Sequence, residues 1–298
     1  MITLRQVKLR NVQNVAASKT CLIDLPIGPR YHTILLEHGY ASGTNTIAAA
    51  MANLSEIRLK IDGKVRRVFS GTQLRDLNLF NGTQYGGTGV PNTSPGSAIA
   101  IHLAEVWRKD VDSQIFGAIP TVWNRGAGKF SSFQLEIDIG AASTPTLVAA
   151  ALVDDVVPTL AASQAAPSIV EIQRLSVGAA GTTVDISTID KKGVLLQLSL
   201  YSDSTNDNQA SNIELRKNGQ VIKEFTSSGN FALLSAMDMY PTASGRTAKI
   251  TDIVFDPTDV LRNGEDLSNA AELTLTVSAA STMAGTITAI AQRVMEAN

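Results

Sequence analysis

The chain has 298 residues, enough for two domains that bury their own cores without disulfides or metal ions. Lys and Arg total 25 and Asp and Glu total 27, so the basic excess of a nucleic-acid-binding protein is missing, and we expect no sequence-specific nucleic-acid partner. Only 17% of the residues are charged, against roughly 25% in an ordinary soluble domain. This low charge indicates that other copies of the chain cover part of the surface.

Residues 1–19 are predicted to form an N-terminal arm, because Arg5, Lys8, Arg10 and Lys19 precede the first acidic residue, Asp24. Apolar residues lie between these cations without a clean helix or strand period. Two interpretations stay open: an ordinary leading strand with solvated charges, or an arm that contacts an anionic surface, either lipid headgroups or nucleic acid. The same cations argue against a signal peptide, and the longest apolar run in the chain is too short to cross a bilayer.

Short runs of alternating apolar residues, separated by turn residues, follow the arm and are typical of an all-β sandwich or barrel. The clearest is a hairpin over 57–69, where Asp62-Gly63 favours a type I′ turn because both central residues of that turn need positive φ. Further strands are predicted at 22–25, 32–36, 133–139 and 272–277. Helical segments are few, at 46–54 and 72–80.

The sequence contains an internal repeat. Ile57–Phe69 aligns without gaps on Ile213–Phe225 at an offset of 156 residues. At the turn, Asn218-Gly219 replaces Asp62-Gly63 and is the other favoured type I′ pair. A later block, 139–144, matches 277–282 at an offset of 138, which assigns about 18 extra residues to loops of the first copy. We therefore predict an all-β protein of two tandem eight-stranded jelly-roll sandwiches, a double jelly roll, with a few short helices in loops and the two hairpin tips at equivalent places.

The repeat and the turn residues set the predicted boundaries. These are an arm at 1–19, a first jelly roll at 20–155, a linker at 156–167 and a second jelly roll at 168–298. The linker is placed where Pro158 and Pro167 interrupt the strand pattern.

The sequence carries no catalytic signature, so we expect neither an enzyme nor a cofactor. The three histidines, His32, His38 and His102, lack the spacing of a metal site, and we interpret His32 and His102 as structural. The single cysteine, Cys21, excludes a disulfide within the chain and is interpreted as a small buried hydrophobe.

One acidic loop, 203–208, has oxygen ligands at alternating positions. Asp203 and Asp207 are weak calcium candidates there, because the loop lacks the glycine and the final glutamate of an EF-hand. We predict a solvated turn and keep structural calcium as the alternative.

Several segments resemble the corticovirus-type major capsid proteins, of the double jelly-roll lineage of tailless, membrane-containing icosahedral viruses. The likeness begins at Asn14-Val15-Ala16-Ala17, Cys21 and Leu25-Pro26-Ile27-Gly28. It continues through the Asp62-Gly63 hairpin, the 72–80 helical segment and the Phe133–Ile139 strand. It covers about residues 11–80 and 130–155, and in the second copy it rests mainly on architecture.

This resemblance implies a major capsid protein of a tailless icosahedral, membrane-containing bacteriophage, located in the virion shell and made in the host cytoplasm. It implies a homotrimer whose six jelly rolls form a pseudo-hexameric capsomer, with neighbouring capsomers and penton or minor capsid proteins as further partners. It places the N-terminal segment toward the inner membrane, so Arg5, Lys8, Arg10 and Lys19 become candidates for a membrane or inter-capsomer contact.

The alternative from another class is a glycan-binding β-sandwich protein that serves in host attachment. The loop 81–97, rich in Gly, Thr and Asn, would then form a shallow sugar site. Such sites use aromatic side chains for stacking, and Tyr85 is the only aromatic residue in that loop. A β-sandwich hydrolase is less favoured, because no paired carboxylates or nucleophile dyad is recognisable.

Overall fold

A computed structural model describes residues 3–40, 47–83, 96–105, 111–202, 210–237, 239, 250–255 and 263–297. The chain divides into two compact units. Unit 1 comprises Met1–Leu79, Thr83–Val170 and Glu296–Asn298, and unit 2 comprises Phe80–Gly82 and Glu171–Met295. The main division therefore falls after Val170, and the segment 156–167, predicted as a linker, is counted with unit 1.

Unit 1 is built mainly from antiparallel strands. Its elements are, in chain order, β1 (Arg5–Leu9), β2 (Val12–Gln13), β3 (Thr20–Asp24), β4 (Arg30–Gly39), α1 (Ile47–Asn53), β5 (Leu54–Ile61), β6 (Lys64–Phe69), α2 (Gly71–Phe80), β7 (Gly96–His102), α3 (Val111–Ile115), β8 (Ile119–Pro120), β9 (Val122–Trp123), a 3₁₀ turn (Asn124–Gly126), β10 (Gly128–Lys129), β11 (Phe133–Ile139) and β12 (Thr146–Asp154).

Two four-stranded sheets form the sandwich of unit 1. One has the order β6-β5-β11-β3, with β2 beside β3, and the other has the order β1-β12-β4-β7, with β8 beside β4. Alternation along the strands follows the pleat: in β11 the side chains of Phe133, Leu135, Ile137 and Ile139 are buried and those between them are not. The core therefore lies between the two sheets.

Unit 2 repeats this plan. Its elements are β13 (Ser168–Gly178), β14 (Gly181–Ile186), β15 (Val194–Ser202), β16 (Asn212–Lys217), β17 (Gln220–Thr226), α4 (Ser227–Ala236), β18 (Ile250–Val254), β19 (Glu265–Asp266), β20 (Leu273–Met283) and β21 (Thr286–Glu296). One sheet has the order β14-β20-β16-β17 and the other includes β18-β15-β21-β13, with β19 beside β15. Buried aliphatic side chains from both sheets, among them Ile186, Leu198, Leu215 and Leu275, form its core.

The two units have the same topology. When the eight main strands of each unit are numbered along the chain, both units give one sheet of order 5-4-7-2 and one of order 1-8-3-6. This is the jelly-roll arrangement of two Greek keys. The predicted double jelly roll with a few short helices is therefore confirmed.

No helix in the described ranges has the length and hydropathy needed to cross a bilayer.

The repeat holds at the hairpin but is shifted at the strand that pairs with its first arm, β11 in unit 1 and β20 in unit 2. We call this strand the late strand of each unit. Phe133 pairs with Ile61 in unit 1, and Leu273 pairs with Lys217, which corresponds to Ile61 at the offset of 156. The equivalent late strands are therefore offset by 140 residues, not by the predicted 138, and the first copy carries 16 more residues between hairpin and late strand. A shift of two residues keeps every side chain on the same face, which is why the hydrophobic pattern did not reveal it.

The structure corrects the predicted N-terminal arm. Arg5–Leu9 forms β1, which pairs with Ala149–Val153 of β12 over five antiparallel positions. Leu9 is buried at the end of this strand. The first jelly roll therefore begins at β1, and of the two interpretations the leading strand is the one that the structure supports.

Both predicted type I′ turns are present. Asp62 and Gly63 have φ of 51° and 78°, and Asn218 and Gly219 have φ of 52° and 77°. The tips join β5 to β6 and β16 to β17, so they occupy equivalent places in the two units.

Replacing Gly63 or Gly219 with valine is expected to lower the free energy of unfolding by about 1–2 kcal/mol, because a β-branched residue resists positive φ. A Cβ atom at either glycine meets no atom within 4 Å, so the effect isolates the backbone conformation. Chemical denaturation measures it. The control is Gly178→Val, where space is equally open but φ is not positive; equal losses at all three sites would contradict the turn assignment.

Candidate functional site

The predicted basic residues lie on the surface of unit 1 but do not form one cluster with a shared partner. Arg5 donates to Asp155, with 2.6 Å between Nη2 and Oδ1, and the two side chains are 49% and 73% exposed. Lys8, Arg10 and Lys19 are exposed. The arrangement offers solvated positive charge along and beside an edge strand.

The hairpin tips bind the loop that precedes the late strand of their own unit. The Asp62 carboxylate accepts hydrogen bonds from the backbone of Ser131 at 2.6 Å and of Ser132 at 2.9 Å, and from the Ser131 hydroxyl. Burial alone would raise the pKa of Asp62, but these hydrogen bonds lower it below the usual value. In unit 2 the Asn218 side-chain oxygen accepts from the backbone N–H groups of Ala271 and Glu272. These predicted turn residues therefore fasten equivalent loops as well as forming the turns.

A buried charged cluster lies where β4 runs beside the end of β12. Arg30 donates to both carboxylate oxygens of Asp154, with 2.6 Å for the shortest contact. His32 Nε2 lies 2.8 Å from Asp154 Oδ2, and its Nδ1 lies 3.0 Å from the Gln114 carbonyl oxygen. All three side chains are at most 6% exposed. Burial raises the pKa of Asp154, but bonds from Arg30, the Val156 N–H and His32 lower it overall.

A second cluster covers the outer face of the β5–β11 pair. Arg58 donates to both oxygens of Asp138, at 2.8 and 2.9 Å, and also contacts Glu56 and Glu136. Lys60 binds Glu136 at 2.6 Å. The bond from Arg58 lowers the pKa of Asp138, and bonds from Lys60 and Arg58 lower that of Glu136 against the opposing effect of burial. The face therefore carries an ionic network between neighbouring strands, in which two cations contact three carboxylates.

This network predicts sensitivity to acid. Carboxylates with lowered folded pKa values contribute stability above their unfolded values, about 4, and that stability is lost as pH falls through the folded values. We expect the melting temperature of the protein to drop between about pH 4 and pH 2, and Arg58→Met to lower it at pH 7 while making the drop shallower. Thermal melts across pH measure this. The exposed Lys129→Met is the control and should keep the wild-type slope; an unchanged slope in Arg58→Met would contradict the role of the network.

The remaining candidate residues behave as parts of the core or lie outside the described ranges. Cys21 is fully buried, and burial raises the pKa of its thiol to about 11. Burial, with Arg67 nearby, lowers the pKa of His102 to about 4, and burial also lowers that of His38. Asp203, Asp207 and the glycan candidate Tyr85 lie outside the described residues. Within the described ranges, no group of three His, Cys, Asp or Glu residues is arranged to hold a metal ion.

Sequence reasoning missed the Arg30–His32–Asp154 cluster. Asp154 is 122 residues from His32 along the chain and stands at the end of the predicted first jelly roll. The only signal available was an acidic residue at the end of an apolar strand, and its partner depends on the pairing of β12 with β4.

Comparison with known proteins shows which family the chain matches. The model of the viral coat protein P2 N-terminal domain matches residues 6–155. Among solved structures, the chain is similar to the major capsid protein P2 from bacteriophage PM2, with a TM-score of 0.74, 17% identity and 99% of both chains covered. It is also similar to the major capsid protein (MCP) of STIV, the Sulfolobus turreted icosahedral virus. The TM-score is 0.68 and the identity 13%, with 99% of this chain and 97% of that chain covered. A comparison with curated protein sequences gave no match.

The family match covers half of the chain and begins within β1. It confirms the resemblance stated from the sequence and favours a coat protein over a glycan-binding attachment protein. It also confirms the predicted non-enzymatic, structural role. The chain belongs to the viral coat protein P2 family, and it is a capsid protein of the virion shell.

Proposed function

We propose that the chain is the major capsid protein of a tailless icosahedral, membrane-containing bacteriophage and that it trimerises into pseudo-hexameric capsomers. The observation that carries this proposal is the same eight-stranded topology occurring twice in one chain. Three copies supply six similar jelly rolls, which suits a six-fold position in a closed shell with three-fold symmetry.

The proposed partners are other copies of the chain, neighbouring capsomers, penton or minor capsid proteins and the inner membrane, and the proposed site of synthesis is the host cytoplasm. Lys8, Arg10 and Lys19, with Arg5, are proposed to contact an anionic surface, since they are exposed and precede any acidic residue. That surface is either the membrane or an acidic face of a neighbouring copy.

Native mass spectrometry of the purified full-length chain at micromolar concentration tests the oligomeric state. The expected result is a species of three chains, and electron microscopy of assembled particles is expected to show tiles of pseudo-six-fold outline. A strictly monomeric protein that forms no particles under any assembly condition would overturn the proposed function.

A further inference from the structure

Equivalent helices of the two units differ in how far they are covered. α2 follows β6 and α4 follows β17, and both helices hold ten residues at the offset of 156. Leu77 of α2 is 4% exposed, whereas Leu233, the corresponding residue of α4, is 52% exposed. Phe231 and Met237 are also exposed, at 41% and 39%. An uncharged helix with apolar residues on several sides is typical of a buried helix, yet among the residues that the structure describes α4 is much more exposed than α2.

The strand before α4 is also open. Among the described strands, β17 ends the four-stranded sheet β14-β20-β16-β17. Phe69 in β6 is fully buried, whereas its counterpart Phe225 in β17 is only partly buried. A sheet edge presents unpaired backbone groups that another strand can bind. Together β17 and α4 form one open surface of unit 2, which we call the β17–α4 surface.

A row of acidic residues crosses the neighbouring strands of this sheet and ends at β17. Asp185 and Glu214 both pair with Thr276 of the strand between them, and Glu214 pairs directly with Glu224 of β17. Like charges directly opposite one another are destabilising. Arg216, two residues further along β16 and opposite Thr274, binds Glu214, but the three carboxylates of the row outnumber this one cation.

The equivalent row in unit 1 is balanced. There the corresponding residues are Leu22, Glu136, Arg58 and Val68, and Arg58 binds Glu136. The two rows therefore have the same strand pairing, but the four residues of the row carry no net charge in unit 1 and three negative charges in unit 2. That difference points to a basic partner at the β17 edge.

The chain itself offers such a partner. β1 ends its own four-stranded sheet among the described strands and carries Arg5 and Lys8, with Arg10 directly after it. Lys8 and Arg10 are exposed. One chain thus has one basic edge and one acidic edge. In a two-fold contact each edge would meet a copy of itself, and the like charges would repel each other.

We propose that the β17–α4 surface of one copy binds the β1 edge of a second copy, with Lys8 and Arg10 facing Glu224 and Glu214 and the second copy covering Leu233. The contact is head-to-tail, and the proposed trimer requires that the rotation between successive copies closes it into a three-membered ring. This inference rests on the proposed trimer and names the surfaces that form it. It assigns the basic residues of β1 to a neighbouring copy instead of the membrane.

Charge reversal in a double-mutant cycle tests the pairing. Glu224→Lys and Lys8→Glu are each expected to raise the concentration at which the trimer dissociates about tenfold at low salt. The double variant is expected to recover most of the wild-type value, since each new charge then meets its opposite. The recovery should shrink in 1 M salt, where the Debye length falls to about 3 Å. Analytical ultracentrifugation of the full chain measures all four proteins.

A second pair of variants tests the apolar part. Leu233→Lys is expected to weaken the trimer about tenfold or more, while Val65→Lys, 42% exposed in β6 and outside both proposed surfaces, is expected to leave it unchanged. Circular dichroism is expected to show folded protein for both, because both side chains are exposed. Equal weakening by both variants would overturn the assignment of α4.

The outcomes separate this inference from the proposed function. A wild-type trimer that Glu224→Lys, Lys8→Glu and Leu233→Lys all leave intact would overturn the inference and leave the function standing. Loss of binding to phosphatidylglycerol-containing vesicles in Lys8→Glu, with the trimer intact, would assign β1 to the membrane and also overturn it. A monomeric wild type would overturn both.

Discussion

Replacing Asp154 with alanine is expected to lower the free energy of unfolding by about 3–5 kcal/mol, the usual result of breaking a buried ion pair by removing one partner. Arg30 and His32 are buried with it and lose the carboxylate that both contact. The Val156 N–H also loses its acceptor. Urea denaturation followed by fluorescence measures the change, and Asp154→Asn, which keeps the shape but not the charge, is expected to give a smaller loss of the same sign.

The next residue provides a matched control. Asp155 is also paired with an arginine, but that pair is largely exposed, and exposed pairs contribute little to stability. Asp155→Ala is expected to leave the denaturation midpoint unchanged. If the two alanine variants lost the same stability, the buried cluster would not be the feature that holds the end of β12 beside β4.

The internal repeat shows what the sequence could and could not predict about the fold. Asp62-Gly63 and Asn218-Gly219 are strong local signals, because the turn geometry demands those residue types, and both turns are confirmed. The late strand was aligned two residues out of place, since apolar alternation repeats every two residues and carries no information on such a shift. Only the pairing with β5 and β16 fixes its position.

Edge strands are harder to predict than central ones for a related reason. In β1 only Leu9 is fully buried, while central β11 alternates along its whole length. A strand that packs at the margin of a sandwich needs few apolar residues, so the basic residues around it were read as an arm. The charged features were partly hidden for another reason: the Arg30–Asp154 pair and the alignment of Asp185 with Glu214 both depend on strand neighbours far apart in sequence.

Deleting residues 1–10 is expected to destabilise unit 1 and to cause aggregation. The deletion removes Leu9 from the core and the five positions at which β1 pairs with β12, a combined loss of about 3 kcal/mol. It also leaves Ala149–Val153 of β12, in which all five residues are apolar, as a new open edge, and such edges pair with other chains. Thermal melting and light scattering of the truncated chain measure both effects.

A charge-only variant separates the strand from its cations. In Arg5→Gln/Lys8→Gln/Arg10→Gln the backbone of β1 and the buried Leu9 remain, so the melting temperature is expected to stay near the wild-type value. Its trimer is expected to be weaker, since the acidic β17 edge of the neighbouring copy then meets no opposite charge. A truncated chain that melts and scatters light as the wild type does would show that β1 is dispensable for the first jelly roll. The family match, which begins at residue 6 within β1, argues for the opposite result: the strand is an integral part of the fold, and its charges serve contacts beyond the chain.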